Sequence, residues 1–292
     1  MNILITGANG QLGNEMRALS AQYKQHTYFF TDIEELDITS REAISQYVVD
    51  YAIDVIVNCA AYTNVDKAET DENLAHKINA LAVENLGLSG ARVIHISTDY
   101  VFSGEACVPY AETDSVAPRT AYGRTKREGE KLLQAVSAEA IIFRTAWLYS
   151  TYGNNFVKTM LRLGQERETL GVVFDQIGSP TYAADLVVAI FAAINAPVWH
   201  AGVYHFTNEG VCSWYDFTHE IFARAQSLLD KEAADKIATC QLRPILSSEY
   251  QYQTPRPHYS VLSKTKIKQT FGIAIPHWTE ALQVCLEKLL KE

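Results

Sequence analysis

Tyr122 and Lys126 stand four residues apart in the segment Tyr122-Gly-Arg-Thr-Lys126. On a helix, positions i and i+4 share a face. An ammonium so placed holds a phenol near a cofactor and favours its deprotonated form. A phenol held in this way gives a proton to a carbonyl oxygen while a hydride reaches carbon. The spacing is common on solvated helices, so it gains weight only from neighbours. One is Ser97-Thr98-Asp99-Tyr100, which ends an apolar run. A hydroxyl at the carboxyl end of a central strand can hydrogen-bond a substrate carbonyl and its developing alkoxide. Thr98 is the candidate, although a lone threonine at a strand end is usually structural.

A second constellation supplies the cofactor for such chemistry. Gly7-Ala-Asn-Gly10-Gln11-Leu12-Gly13 follows an apolar run and opens a helical pattern. The spacing G-x-x-G-x-x-G is one residue wider than the plain dinucleotide fingerprint, but the strand–turn–helix setting is the confirming one. Glycines let the backbone approach a pyrophosphate, and a helix N-terminus favours the anion. Asp32 ends the next apolar run, at the distance where a carboxylate binds the adenosine ribose hydroxyls. It would repel a 2′-phosphate and so favours NAD(H); the alternative is a strand-end turn residue. Asp37 and Ile38 are weaker candidates for the adenine border. Asn58-Cys59-Ala60-Ala61-Tyr62-Thr63 ends a third run, where small residues permit close cofactor approach; a small-residue strand end without a ligand fits the pattern equally.

Elements that could position these groups alternate along the chain. Apolar runs at 2–6, 27–31, 54–58, 92–97 and 140–144 are expected as strands. Helices are expected from the glycine turn to about residue 22 and near 40–51, 72–88 and 118–136. This alternation predicts an α/β fold, a Rossmann doubly wound parallel sheet with right-handed crossovers and both faces covered. Residues 1–150 are expected to form the dinucleotide-binding domain. After 150 the texture changes. Helices are expected to about 166 and at 183–195, 213–229, 263–271 and 278–290, with a strand at 203–207. Residues 151–292 should mainly form a smaller substrate lobe over the strand ends, with some segments returning to the first domain.

Composition bounds the rest. The chain has 292 residues, 48% apolar and 20% charged, as in an ordinary soluble globular protein. A net charge of −9 argues against a nucleic-acid partner. No stretch approaches the ~20 apolar residues of a membrane span, and the N-terminus reads as a strand rather than a signal peptide. Five scattered cysteines point to free thiols in a reducing, cytoplasmic setting. The histidines show no metal-binding spacing.

Together these residues resemble the extended branch of the short-chain dehydrogenase/reductase superfamily. More closely, Asn58 to Glu69, Ser97 to Phe102, Tyr122 to Lys126, Phe143 to Trp147, Gly153 to Met160, Asp175 to Thr181 and Arg256-Pro257 are similar to the dTDP-4-dehydrorhamnose reductase family. The likeness covers nearly the whole chain. It implies a Rossmann domain with a sugar-nucleotide lobe. The implied reaction is NADH- or NADPH-dependent reduction of the C4 ketone of dTDP-4-dehydro-L-rhamnose to dTDP-L-rhamnose. By position, Tyr122 is the implied proton donor, Lys126 its pKa-lowering partner and a contact of the nicotinamide ribose, and Thr98 the donor to the carbonyl. Thr98, Asp99 and Trp147 would line the sugar site, the indole giving a flat apolar wall. Asn155 and Arg256 would contact the diphosphate; arginine suits bidentate phosphate binding. The resemblance leaves Mg²⁺ and a homodimer open. It also leaves open another sugar-nucleotide reductase or epimerase, and a non-catalytic dinucleotide-binding subunit.

Overall fold

The computed structural model describes residues 1–251 and 253–291. The chain runs β1 (Asn2–Thr6), α1 (Gln11–Ser20), β2 (Thr27–Thr31), α2 (Arg41–Asp50), β3 (Val55–Asn58), α3 (Val65–Ala68), α4 (Glu72–His76), α5 (Ala82–Gly87), β4 (Arg92–Thr98), α6 (Ala121–Val136) and β5 (Ile141–Thr145). Then come β6 (Leu148–Tyr149), α7 (Phe156–Glu166), β7 (Thr169–Val173), β8 (Ile177–Gly178), β9 (Thr181–Tyr182), α8 (Ala183–Ile194) and β10 (Gly202–His205). The last elements are β11 (Cys212–Ser213), α9 (Trp214–Ala225), α10 (Lys231–Thr239), β12 (Gln241–Ile245), α11 (Thr265–Phe271) and α12 (Trp278–Lys291).

Six strands form one parallel sheet in the order β10-β5-β4-β3-β1-β2. The chain winds outward from β1 to β2, then returns to place β3 on the other side. That reversal makes a switch point between β1 and β3, where open α/β sheets bind ligands outside the strand ends. The register aligns Thr6 with Asn58, Asn58 with His95, and Thr98 with Thr145. The carboxyl ends of β1, β3, β4 and β5 therefore open onto one edge.

The strands are apolar because both faces are covered. Met16 of α1 and Leu186 and Ile190 of α8 bury one face; Ile44 of α2, Leu86 of α5 and Leu133 of α6 bury the other. A separate core lies beyond residue 150, where Val157 of α7, Phe217 of α9 and Leu282 of α12 pack together. Side chains fix several helix starts: Thr120 accepts from the Gly123 amide, Asn155 from Lys158, and Ser213 and Asp216 form a reciprocal capping box.

Three differences from the sequence expectations have physical causes. The helix expected at 72–88 is interrupted by a π turn, Lys77–Leu81. Asn79 in that turn is 1% exposed, and its amide is committed to Tyr62 and Thr125 rather than to solvent. The parallel pair β7–β12 was not anticipated, because Thr169–Val173 finds its partner in Gln241–Ile245, far along the chain. Nor was α10, a short amphipathic helix capped by Asp230.

Candidate active site

The glycine turn is shaped by close approach. Gly7 has φ +62°, a left-handed backbone, and a Cβ there would lie 2.6 Å from the Ala60 amide nitrogen. A Cβ on Gly13 would stand 2.5 Å from the Gly7 carbonyl oxygen. Gly10 is exposed, and a Cβ there would stand 3.3 Å from the Gly7 carbonyl oxygen. It precedes α1, whose N-terminus has neither a capping side chain nor an acidic residue in its first turn. Free amides and the positive end of the helix dipole thus face the open strand edge. This cradle fits the pyrophosphate of a dinucleotide.

Asp32 sits beside that cradle. Its Oδ2 accepts from the Asn9 amide at 3.0 Å and its Oδ1 from Ile33 at 2.9 Å, so the carboxylate also braces the glycine loop. Asp37 is exposed and its carboxylate, held by the Thr39 amide at 2.8 Å, is lowered in pKa by that bond. Ile38 is 8% exposed and its side chain packs in the core with Leu4 and Ile44, so any place it has at the adenine border would be that of its backbone and small open surface. Leu12 is also core, against Ile5 and Met16, and its place at the cradle is that of its backbone. Ala61, Tyr62 and Thr63 keep part of their surface open, and Asn79 clamps Tyr62 by accepting from its amide at 2.9 Å and donating to its carbonyl at 3.0 Å. The same Asn79 amide reaches Thr125 on α6 at 3.2 Å. Asn79 therefore ties the loop after β3 to the helix that carries the phenol.

Helix α6 lies against backbone. A Cβ on Gly123 would collide with the Tyr100 carbonyl, and one on Gly129 with the Asn79 carbonyl. Two glycines thus bring Tyr122 and Lys126 down to the end of β4. Thr98 stands beside the Tyr122 phenol, close enough to lower its pKa. The Thr98 hydroxyl also donates to Asp99 Oδ1 at 3.0 Å and accepts from the Tyr100 amide at 3.3 Å. Tyr122 keeps part of its ring exposed, yet the packing around its hydroxyl pushes the pKa up to about 12; the nearby Thr98 hydroxyl pulls the other way and Asp99 adds to the rise.

Lys126 departs from the expected role in this arrangement. It is 1% exposed, and its Nζ donates to the Ile96 carbonyl at 2.6 Å and meets His95 Nε2 at 3.2 Å. Its amine is turned toward β4, and burial lowers its pKa to about 8 against an opposing pull from Glu130. The phenol pKa stands above the ordinary tyrosine value because of burial. His95 was not singled out from sequence. The available signal was a histidine inside an otherwise apolar strand, where a buried polar group demands partners.

Asp99 is 5% exposed, and burial raises its pKa to about 6 despite the bond from Thr98 and the nearby Ser260 hydroxyl. Its Oδ2 has no partner among the described residues. Beyond it opens a cavity of about 520 Å³ lined by Tyr100, Trp147, Phe156, Trp214, Arg256 and Ser260, among others. Trp147 has φ +51°, an uncommon backbone for a bulky side chain. Arg256 donates to Asp66 Oδ2 at 2.7 Å. Asn155, expected at a diphosphate, is held by bonds at the start of α7 and at the glycine turn. Its Oδ1 caps α7, and its Nδ2 donates to Ser150 O at 2.7 Å and to Gln11 Oε1 at 3.1 Å. No group of three or more His, Cys, Asp or Glu among the described residues is arranged to hold a metal. Among the described residues, no helix is long and apolar enough to cross a membrane.

The doubly wound sheet, the open glycine cradle and the Thr98–Tyr122–Lys126 set define an extended short-chain dehydrogenase/reductase. A family model described as RmlD substrate binding domain matches residues 1–291. A dTDP-4-dehydrorhamnose reductase from Aggregatibacter actinomycetemcomitans is 40% identical over 96% of this chain and 97% of its own. The chain belongs to this family, that of the dTDP-4-dehydrorhamnose reductases. Among solved structures, the reductase of Clostridium acetobutylicum is 41% identical with a TM-score of 0.91, each chain 99% covered. That of Bacillus anthracis, solved in complex with NADP, is 38% identical with a TM-score of 0.89, over 98% of this chain and 99% of its own.

Proposed function

We propose that the protein reduces the C4 ketone of dTDP-4-dehydro-L-rhamnose to dTDP-L-rhamnose with NADH or NADPH. The observation that carries this reading is the close packing of α6 on the end of β4, which sets the Tyr122 phenol beside Thr98 and against Tyr100, a residue of the wall of an aromatic cavity large enough for a sugar nucleotide. A nicotinamide dinucleotide held by the glycine turn and Asp32 would supply the hydride to C4. Tyr122 gives the proton from its Oη to the C4 oxygen, and Thr98 donates a hydrogen bond to the same oxygen as charge develops there. A phenol whose pKa stands at about 12 remains protonated through the neutral range, so the acid form is ready before substrate arrives. An ammonium at Lys126, one helical turn away, then stabilises the phenolate left behind.

The lobe formed mainly by residues 151–292 would hold the sugar nucleotide. Trp147 supplies its apolar wall and Arg256 meets the diphosphate, exchanging Asp66 for phosphate oxygens. Asp32 beside the glycine loop favours NADH, since a 2′-phosphate would lie near its carboxylate. A cytoplasmic setting agrees with the free thiols.

The test is a coupled assay with the 4-keto deoxysugar nucleotide offered with NADH and NADPH in parallel. Consumption of nicotinamide only when the sugar nucleotide is present, with the product stereochemistry of rhamnose at C4, is expected. Turnover with another product configuration would point to a different sugar-nucleotide enzyme. Tight dinucleotide binding with no turnover would point to a regulatory subunit.

A further inference from the structure

Four polar side chains form a buried chain beneath the site: Thr6, Asn58, His95 and Lys126, with exposures of 1%, 1%, 0% and 1%. Its hydrogens can be placed from one end. The Ala60 amide donates to Asn58 Oδ1 at 3.2 Å, and Thr6 donates to the same oxygen at 2.7 Å. A backbone N–H can only donate, so the oxygen is fixed on that side and Asn58 Nδ2 points at His95. The amide then donates to His95 Nδ1 at 3.0 Å. Nδ1 must accept, so neutral His95 carries its hydrogen on Nε2. That hydrogen points at Lys126 Nζ, 3.2 Å away, while Nζ itself donates to the Ile96 carbonyl.

Every bond in this chain is satisfied only if Lys126 accepts from His95 through a lone pair. An ammonium has no lone pair. Protonating Lys126 would set N–H against N–H across that contact. Moving the His95 hydrogen to Nδ1 would only shift the conflict to the Asn58 amide. A doubly protonated His95 conflicts with Asn58 too, and burial with the nearby lysine holds its pKa well below the ordinary histidine value.

We infer that His95 is a positioning residue that parks Lys126 as a neutral amine against β4, and that only the ammonium form leaves His95 for the Tyr122 phenol. The inference rests on the reading of Tyr122 and Lys126 as the reaction pair. It adds that the lysine has two stations selected by its own proton. A hydrogen bond donated to the neutral amine favours that form, so His95 works in the same direction as burial on the Lys126 pKa. The titratable groups that act on the amine are His95 on β4 and Glu130 on α6. Glu130 favours the charged form, but its carboxylate already accepts from Arg144, Arg127 and Ser97.

The test is read first on the ligand-free, full-length protein by nitrogen and side-chain carbon NMR with labelled histidine and lysine, which needs no activity. His95 should appear as the Nε2–H tautomer, and the Lys126 amine should titrate well below an ordinary lysine. His95→Leu, which removes the donor, should raise that pKa by about one unit or more. His95→Gln should keep it near the wild-type value, because an amide can accept from Asn58 and donate to Lys126. The alkaline limb of the kcat/KM profile should move with the amine in each variant. The Nδ1–H tautomer in the wild-type protein, or an unshifted lysine in His95→Leu, would overturn the inference. If His95→Leu does not fold, the wild-type tautomer and the His95→Gln titration decide it. A protein with the expected tautomer and titration but no reductase activity would instead sink the functional reading.

Discussion

The indole of Trp147 lies flat on that of Trp214, ring centroids 3.5 Å apart and planes 11° from parallel. Gly178 closes the opposite side, where a Cβ would come within 2.6 Å of the Trp147 ring. The indole is thus set between a second indole and a bare backbone, and a left-handed φ is held by that packing. Gly178→Ala should tilt this wall of the cavity. We expect KM for the sugar nucleotide to rise about tenfold, the loss of roughly 1.4 kcal/mol of packing, with the dinucleotide Kd unchanged. Steady-state kinetics and a cofactor titration check both halves; an equal loss in the two would mean general unfolding.

Tyr122→Phe removes the proton donor and leaves the ring. Turnover should fall by about 10²- to 10⁴-fold, the usual contribution of general acid catalysis. Dinucleotide binding, followed by fluorescence, should persist, because the glycine cradle and α1 lie on other elements. Near-normal turnover would remove Tyr122 from the mechanism.

Asp99 predicts a trade of stability against function. Its folded pKa, about 6, stands above the ordinary aspartate value because of burial. The folded state therefore binds the proton more tightly, and stability falls as pH rises from the ordinary aspartate range to about 6. Asp99→Asn should raise stability at pH 7.5 by on the order of 2 kcal/mol, with the gain vanishing once the solution is acid enough to protonate the unfolded carboxyl. Denaturant titrations at the two pH values measure it. The same variant should lose the acid limb of kcat/KM if the Asp99 carboxylate binds a sugar hydroxyl.

Glu130 is fully buried and accepts from Arg144 Nε at 2.8 Å and Nη2 at 2.7 Å, from Arg127 at 2.7 Å and from Ser97 at 2.6 Å. Glu130→Gln would leave Arg144, itself 2% exposed, without its counter-charge. The expected cost is about 3–5 kcal/mol of stability, the range for breaking one side of a buried ion pair. Urea unfolding with an unchanged m value would confirm a native-state effect.

Much of this architecture can be read from residue order alone. The runs Asn2–Thr6, Val55–Asn58 and Ile141–Thr145 are apolar because each is covered twice, and the glycine turn announces its own geometry. What escapes such reading depends on partners distant in the chain. The pairing of β7 with β12 is set by residues about 70 apart, and neither strand alternates clearly enough to declare it. The π turn at Asn79 arises because that amide bonds Tyr62 and Thr125. Ile38 and Asn155 have structural partners that their types alone do not show: a hydrophobic pocket takes the Ile38 side chain, and Asn155 caps α7 while donating to Gln11 of the glycine turn. The Tyr122–Lys126 spacing gave the right neighbours on α6, while the direction of the amine was decided by His95, a residue of another element.

The position of β10 has a consequence for how the molecule can be divided. The chain leaves the sheet after β5, builds β6, α7, β7, β8 and β9 and the helix α8, and returns to lay β10 along the flank of β5 in parallel register. Both ends of that excursion are stitched to the same strand. A fragment ending near residue 150 would leave β5 as a bare, apolar margin with unpaired amides and carbonyls, an invitation to associate with other chains. The parts that bind the dinucleotide and those that wall the cavity are thus bound to be made, kept and lost together.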